Sequence, residues 1–163
     1  MILIGLGANL PGRDGVPPRE TLLSALEKIG RGGARVAALS GWYRSAPVAA
    51  SDQPDYVNAV AALETELAPG PLLEMLHSVE ACLGRTRAER NAARIIDLDL
   101  LDYHGRVSAD WPILPHPRMA ERAFVLRPLL DLAPDWRHPV GGETAASLFT
   151  QADDRADLHP LDV

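Results

Sequence analysis

The chain has 163 residues, the length of one domain with a sizeable core. Hydrophobic residues make up 47% and charged residues 23%, which excludes disordered, collagen-like and disulfide-scaffold classes. A net charge of −6 argues against a nucleic-acid partner, and no apolar run approaches the length of a membrane span. The single cysteine, Cys82, rules out an internal disulfide and suits a reducing compartment. It reads as a small core residue on a helix. Met1-Ile-Leu-Ile-Gly5 lacks the basic start and apolar length of a signal peptide, so the cytoplasm is expected.

Met1 to Leu6 is an apolar run leading into Gly5-Leu-Gly-Ala-Asn-Leu-Pro-Gly12, which reads as a first strand and a loop. The glycines point to a close backbone approach, without the Gly-Lys-Ser/Thr of a Walker loop. Pro17-Pro18 opens a helix to about Ile29, with Leu22, Ala25, Leu26 and Ile29 on one face and Gly30 as its stop. Val36 to Arg44 reads as a second strand. It runs into Ser45–Asp55, too long for a tight hairpin and of the kind that carries function.

Tyr56 to Leu67 alternates as a half-buried strand. Val57, Ala59, Ala61 and Leu63 face the core, and Tyr56, Asn58, Val60 and Ala62 the less apolar side. An aromatic plane beside an amide, Tyr56 with Asn58, suits a flat heterocycle; plain packing is the alternative. Ala68-Pro-Gly-Pro71 starts a second helix from Leu72 to Leu83, which Gly84 ends. Glu80, one turn from that end, reads as solvated.

Four arginines follow: Arg85, Arg87, Arg90 and Arg94. Next comes an aliphatic strand, Ile95 to Tyr103. Side chains alternate along a strand, so Asp97 and Asp99 share a face, roughly 6–7 Å apart. Two acids in so apolar a strand cost desolvation unless something compensates them. A pair of divalent cations, roughly 3.5–4 Å apart in two-metal sites, meets that need, and the arginines offer forks for a polyphosphate. A solvated strand edge is the other reading. His116 is held stiffly between Pro115 and Pro117, and none of the five histidines shows zinc-ligand spacing. The tail from Asp131 gives little beyond a short helix near Thr144 to Thr150.

Strand, helix, strand, strand, helix, strand, then an appendage: this order predicts an α+β, ferredoxin-like βαββαβ domain. Its antiparallel sheet would carry both helices on one face. The other face, with Tyr56, Asn58, Asp97 and Asp99, would be free for ligands.

Four segments resemble the 6-hydroxymethyl-7,8-dihydropterin pyrophosphokinase family. They are Gly5–Leu10; Tyr43-Arg-Ser-Ala-Pro47 with Asp52-Gln-Pro-Asp-Tyr-Val-Asn58; Gly84-Arg-Thr-Arg87 with Arg94-Ile-Ile-Asp-Leu-Asp-Leu100; and Leu114-Pro-His-Pro-Arg through Phe124. The resemblance covers about Met1 to Pro134. It implies a single pterin pyrophosphokinase domain over 1–163, a cytoplasmic monomer that moves the β,γ-pyrophosphoryl unit of ATP to the pterin hydroxymethyl group and releases AMP, in folate biosynthesis. It makes Asp97 and Asp99 the ligands of two magnesium ions. Tyr56 and Phe124 become the clamp on the pterin, Asn58 its edge contact, and Ser45, Ala46 and Val48 a loop meeting it through backbone groups. Arg85, Arg94, His116 and Arg122 fall at catalytic, phosphate-binding positions. Arg87 also falls to ATP, and Glu80 to a position near the nucleotide. Nucleic acid and membrane partners are not implied.

The family usually reads Arg-Trp-Gly-Pro-Arg where this chain has Arg90-Asn-Ala-Ala-Arg94. A lid over residues 84–93, mobile when free and ordered by ATP, would therefore close on arginine–phosphate contacts rather than on an aromatic seal. Two rival classes share the fold pattern. Polymerase or cyclase palm domains put paired aspartates on such a sheet, and a non-catalytic ligand sensor would have no use for the arginines.

Overall fold

A computed structural model describes residues 1–47, 52–86 and 92–162. In chain order it contains β1 (Ile2–Ala8), α1 (Pro18–Arg31), β2 (Arg35–Leu39), β3 (Tyr43–Ser45), β4 (Tyr56–Glu64), α2 (Pro69–Cys82), β5 (Asp97–Tyr103), α3 (Ala123–Leu132), α4 (Ala145–Gln151) and β6 (Leu158–Pro160). The sheet runs β5-β1-β4-β3-β6, with β2 also on β4 and every pairing antiparallel. β2 and β3 take successive halves of one edge of β4, so the core keeps the expected βαββαβ order.

The single strand expected over Val36–Arg44 is broken at Ser40–Trp42. There the Ser40 hydroxyl accepts from the Val60 N–H at 3.0 Å and donates to the Gly41 carbonyl at 2.7 Å. Side-chain bonds of this sort compete with a backbone ladder. β6 was not foreseen, since three residues carry no readable alternation.

α1 and α2 lie on one face, as expected. Leu22, Ala25, Leu26 and Ile29 recur at helical spacing and pack with Leu72, Leu76 and Val79 over Ile2, Ile4, Ala59, Ala61, Leu98 and Leu100. Proline at the first turn of each helix costs no hydrogen bond there. Cys82, expected in the core, is exposed at the end of α2.

The opposite face is not free. α3 and α4 cover half of it, with Val125, Leu129 and Ala145 packed on Leu3, Val60, Ala62 and Leu101. Val60 and Ala62, assigned to the less apolar side, are therefore buried. Pro128 inside α3 disguised that helix, because proline ordinarily ends a helical pattern. A bulge in β5 opposite Leu3 and Ile4 turns both Leu101 and Asp102 toward this layer. Buried Asp102 then accepts from the Trp136 indole N–H at 2.7 Å and the Gly105 N–H at 2.8 Å, tying the appendage to the sheet. No helix among the described residues is long and apolar enough to cross a membrane. What the appendage leaves open is the strip of sheet at Gly5, Gly7, Asn58, Asp97 and Asp99.

Candidate active site

Strand register places the open strip. Gly7 pairs with Asp97 on one side and Asn58 on the other, and Gly5 pairs with Asp99. Neither glycine puts a side chain between the carboxylates and the amide. A Cβ at Gly7 would come within 3.5 Å of Asn58 Oδ1. The close approach expected of these glycines is thus a low floor within β1, not a phosphate loop. Above it lies a cavity of about 280 Å³.

One end of the cavity suits a flat ring. Tyr56 and Phe124 both line it, with Asn58 between the strands below. Asn58 is buried, and its Nδ2 donates to the Ser45 hydroxyl at 2.9 Å. The Tyr56 hydroxyl donates to the Ala92 carbonyl at 3.1 Å. Burial raises the pKa of that phenol. Phe124, at the start of α3, lies under the Arg122 guanidinium, 5.5 Å from ring centroid to cation. Ser45 and exposed Ala46 complete this end, and the Ser45 hydroxyl meets Asn58 there.

The other end is ionic. Asp97 meets two arginines, Arg85 Nη1 at 2.8 Å on Oδ1 and Arg94 Nη1 at 2.6 Å on Oδ2. Asp99 is more loosely flanked, by His116 Nε2 at 3.9 Å and Arg122 Nη1 at 3.8 Å. Burial, then the neighbouring Asp97 charge, pushes the Asp99 carboxyl up to about 6 against the pull of Arg122, Arg94 and Arg85. Solvent still reaches 35% of that side chain, so burial weighs less here than in a sealed core.

His116 is pushed down to about 4 by burial and by Arg122 and Arg118, and is neutral near pH 7. Its Nδ1 accepts from the Arg118 N–H at 3.2 Å, which leaves the ring proton on Nε2, facing Asp99. The buried Nε of Arg122 has no hydrogen-bond partner among the described residues.

Glu80 is not solvated. It is 3% exposed and accepts the Leu98 N–H at 2.6 Å on Oε1, the atom that also pairs with Arg85. Burial raises its carboxyl to about 7, opposed by the Leu98 N–H and Arg85. Neither Glu80 nor Arg85 lines the cavity; both stand behind Asp97. Val48, Arg87 and Arg90, and with them half of the expected lid (residues 87–91), lie outside the described residues.

Sequence reasoning missed Arg118 and Val125 at the cavity wall and Asn9 beside it. Arg118 stands in the quoted Pro-His-Pro-Arg run and Asn9 in the first glycine segment, but neither has a pattern that announces a contact.

Residues 3–134 match the family model of 7,8-dihydro-6-hydroxymethylpterin-pyrophosphokinase. The chain belongs to this family. It is therefore an enzyme, a pyrophosphokinase that transfers a pyrophosphoryl group to the hydroxymethyl group of a dihydropterin, and the palm-domain and sensor alternatives fall away.

A 2-amino-4-hydroxy-6-hydroxymethyldihydropteridine pyrophosphokinase of Pseudomonas aeruginosa is 45% identical over 143 residues, 86% of this chain and 85% of that protein. One from Methylorubrum extorquens is 41% identical over 152 residues, 92% of each. The folic acid synthesis protein fol1 of Pneumocystis carinii is 40% identical over 162 residues, but the chain spans only 21% of its length. A Plasmodium falciparum HPPK-DHPS crystal structure superposes with a TM-score of 0.74, covering 99% of this chain and 46% of that one. At 13% identity it speaks for the fold alone.

Proposed function

We propose that this pyrophosphokinase moves the β,γ-pyrophosphoryl unit of ATP to 6-hydroxymethyl-7,8-dihydropterin within folate synthesis, releasing AMP, and that residues 1–163 form a single pterin pyrophosphokinase domain. One observation carries the residue assignment. A single cavity joins an aromatic and amide end at Tyr56, Asn58 and Phe124 to an ionic end at Asp97, Asp99, Arg94, His116 and Arg122. A flat heterocycle and a triphosphate need those two ends side by side.

The ionic end fits magnesium. Two carboxylates share a face, and no cluster of three or more His, Cys, Asp or Glu among the described residues could hold a metal ion by itself. Such a pair suits a hard cation that completes its shell with phosphate oxygens and water, rather than zinc in an all-protein cage. Asp97 and Asp99 would hold two such ions, which when bound neutralise charge on the phosphates.

The chain's own groups do the rest. Tyr56 and Phe124 clamp the ring, Asn58 takes its edge, and the Ser45–Ala46 backbone closes around it. Arg94 and Arg122 bind and orient phosphates, with Arg85 behind Asp97. His116, neutral with its proton on Nε2, donates a hydrogen bond and is no general base. Catalysis then rests on positioning and charge neutralisation. The reading calls on no residue of a second subunit, and a monomer is part of the proposal. A cysteine exposed and free of any disulfide suits the cytoplasm.

The test is to incubate the protein with ATP, magnesium and the reduced pterin and to follow nucleotides by chromatography. AMP and the pterin diphosphate are expected in equal amounts. ADP as the nucleotide product, or no pterin-dependent turnover, would refute the reading.

A further inference from the structure

Arg85 meets two carboxylates with one nitrogen. Its Nη1 lies 2.8 Å from Asp97 Oδ1 and also pairs with Glu80 Oε1. Arg94, the other arginine on Asp97, has its ion pair with Asp97 alone among the described residues. The two arginines are therefore held differently. If Asp97 turns to a cation, Arg94 loses its carboxylate and Arg85 does not.

Glu80 also fixes Arg85 from the backbone. α2 stops at Leu83 and Gly84, whose φ of +97° is one that glycine adopts without strain. The Gly84 N–H bonds the Ala81 carbonyl at 3.1 Å, and the Arg85 N–H bonds the Glu80 carbonyl at 3.0 Å. This is a Schellman cap. One residue thus takes both the amide and the guanidinium of Arg85. Its carboxylate also receives the Leu98 N–H, from the residue between the two aspartates. A buried charge here is costly unless paired, and the pairing runs to the site in both directions.

Resting on the reading that Asp97 holds a cation, we infer that Glu80 is a positioning residue that never touches ATP. It keeps Arg85 fixed behind Asp97, its charge directed toward the phosphate end, once Asp97 is taken, while Arg94 is released to follow the phosphates. Arg85 is a post and Arg94 an arm.

The experiment compares Glu80→Gln, Arg85→Ala, Arg85→Lys and the double variant Glu80→Gln/Arg85→Ala. For each, ATP and pterin binding are measured by calorimetry, ATP both with magnesium and in EDTA, beside Tm. Glutamine keeps an acceptor for Leu98 but loses the charge. Glu80→Gln is expected to weaken ATP about tenfold with magnesium and by a smaller factor in EDTA, where Asp97 still holds Arg85, and to move pterin binding by less than about twofold. The double variant should bind ATP no more weakly than Arg85→Ala alone, because Glu80 acts only through Arg85. Arg85→Lys leaves Glu80 intact and keeps a single bridging nitrogen, but it loses the guanidinium N–H groups left over for phosphate, so it should weaken ATP at unchanged Tm. That variant carries the test even where Glu80→Gln folds poorly.

Fully additive losses, or ATP and pterin binding falling together in step with Tm, would make Glu80 merely structural and overturn the inference. So would wild-type ATP binding by Glu80→Gln or Arg85→Lys. Unchanged ATP binding by Arg85→Ala would instead overturn the phosphate role of Arg85, and with it the reading beneath.

Discussion

Asn9 and Arg94 stand 85 residues apart, yet the Arg94 N–H donates to Asn9 Oδ1 at 2.7 Å. The Arg94 carbonyl in turn takes the N–H groups of Asn9 and Leu10, both at 3.0 Å. Asn9 Nδ2 reaches the other way, to the Pro54 carbonyl at 3.1 Å and to Gln53 at 3.3 Å. One buried amide thus joins the segment that carries Arg94, just before β5, to the loop leading into Tyr56.

Asn9→Ala strands those groups, and we expect a stability loss of about 1–3 kcal/mol. KM for both substrates should rise. Asn9→Asp keeps the acceptor for Arg94 but not the donors to Gln53 and Pro54, so it should raise the pterin KM more than the ATP KM. Steady-state kinetics beside denaturant unfolding decide the matter. Equal effects of aspartate on both substrates would show that the two links are not separable.

Asp97→Ala and Asp99→Ala should each abolish magnesium-dependent turnover, by on the order of a thousandfold or more, since charge stabilisation of the transition state is lost. The fold should survive. Arg85 keeps Glu80 when Asp97 is gone, and the ion pairs of Asp99 among the described residues are the looser ones, at 3.9 and 3.8 Å. Circular dichroism and product assays at saturating magnesium would check both halves. Near-normal activity in either variant would exclude that carboxylate as a ligand.

Much of this site was legible because its chemistry is carried by strong local signals. Asp97 and Asp99 fall two apart in an apolar strand, and Tyr56 and Asn58 fall two apart in another, so period two alone puts each pair on one face. Strand neighbours then follow from the βαββαβ order. What could not be read was anything decided by partners far along the chain. Glu80 looks like a surface residue on α2 until Leu98 and Arg85 are seen to reach it. Asn9 looks like part of a turn. α3 was hidden by Pro128, and with it the layer that buries Val60 and Ala62 and presents Phe124.

The ring clamp makes a separable prediction. Phe124→Ala should weaken pterin binding by about tenfold, given roughly 0.5–1.5 kcal/mol of stacking plus lost area. Arg122 rests on the same ring, so ATP binding should fall by a smaller factor. Tyr56→Phe removes only the hydroxyl that donates to Ala92 and keeps the stacking face, so its pterin affinity should stay within about threefold of wild type. Calorimetry with pterin alone and ATP alone reads both. A larger loss for ATP than for pterin in Phe124→Ala would move that ring to the nucleotide.

In the metal-free protein Asp99 and Glu80 should each contribute less to stability as pH rises from about 4 to about 7, opposite to the usual contribution of a carboxylate. The folded pKa of Asp99 is raised from 3.8 to about 6 and that of Glu80 from 4.5 to about 7, in both cases mainly by burial. An acid with a raised folded pKa holds its proton more tightly in the native state than in the unfolded chain. Its favourable contribution is complete below the unfolded value and is lost as pH climbs through the folded value. For Asp99 the window is about 4 to 6, and for Glu80 about 4.5 to 7. Solvent reaches Asp99 and reduces the size there, to on the order of 1–2 kcal/mol. Other carboxylates respond the opposite way, so the quantity to measure is a difference. Unfolding free energies of wild type minus Asp99→Asn, in EDTA from pH 4 to 8, should fall through pH 4–6 and level off above. Magnesium with a non-hydrolysable ATP analogue should flatten that slope, because a cation then rewards the ionised form. A difference curve that is flat or rising in EDTA would mean that the Asp99 carboxyl of the metal-free protein titrates at or below its ordinary pKa, held so by Arg122 and Arg94.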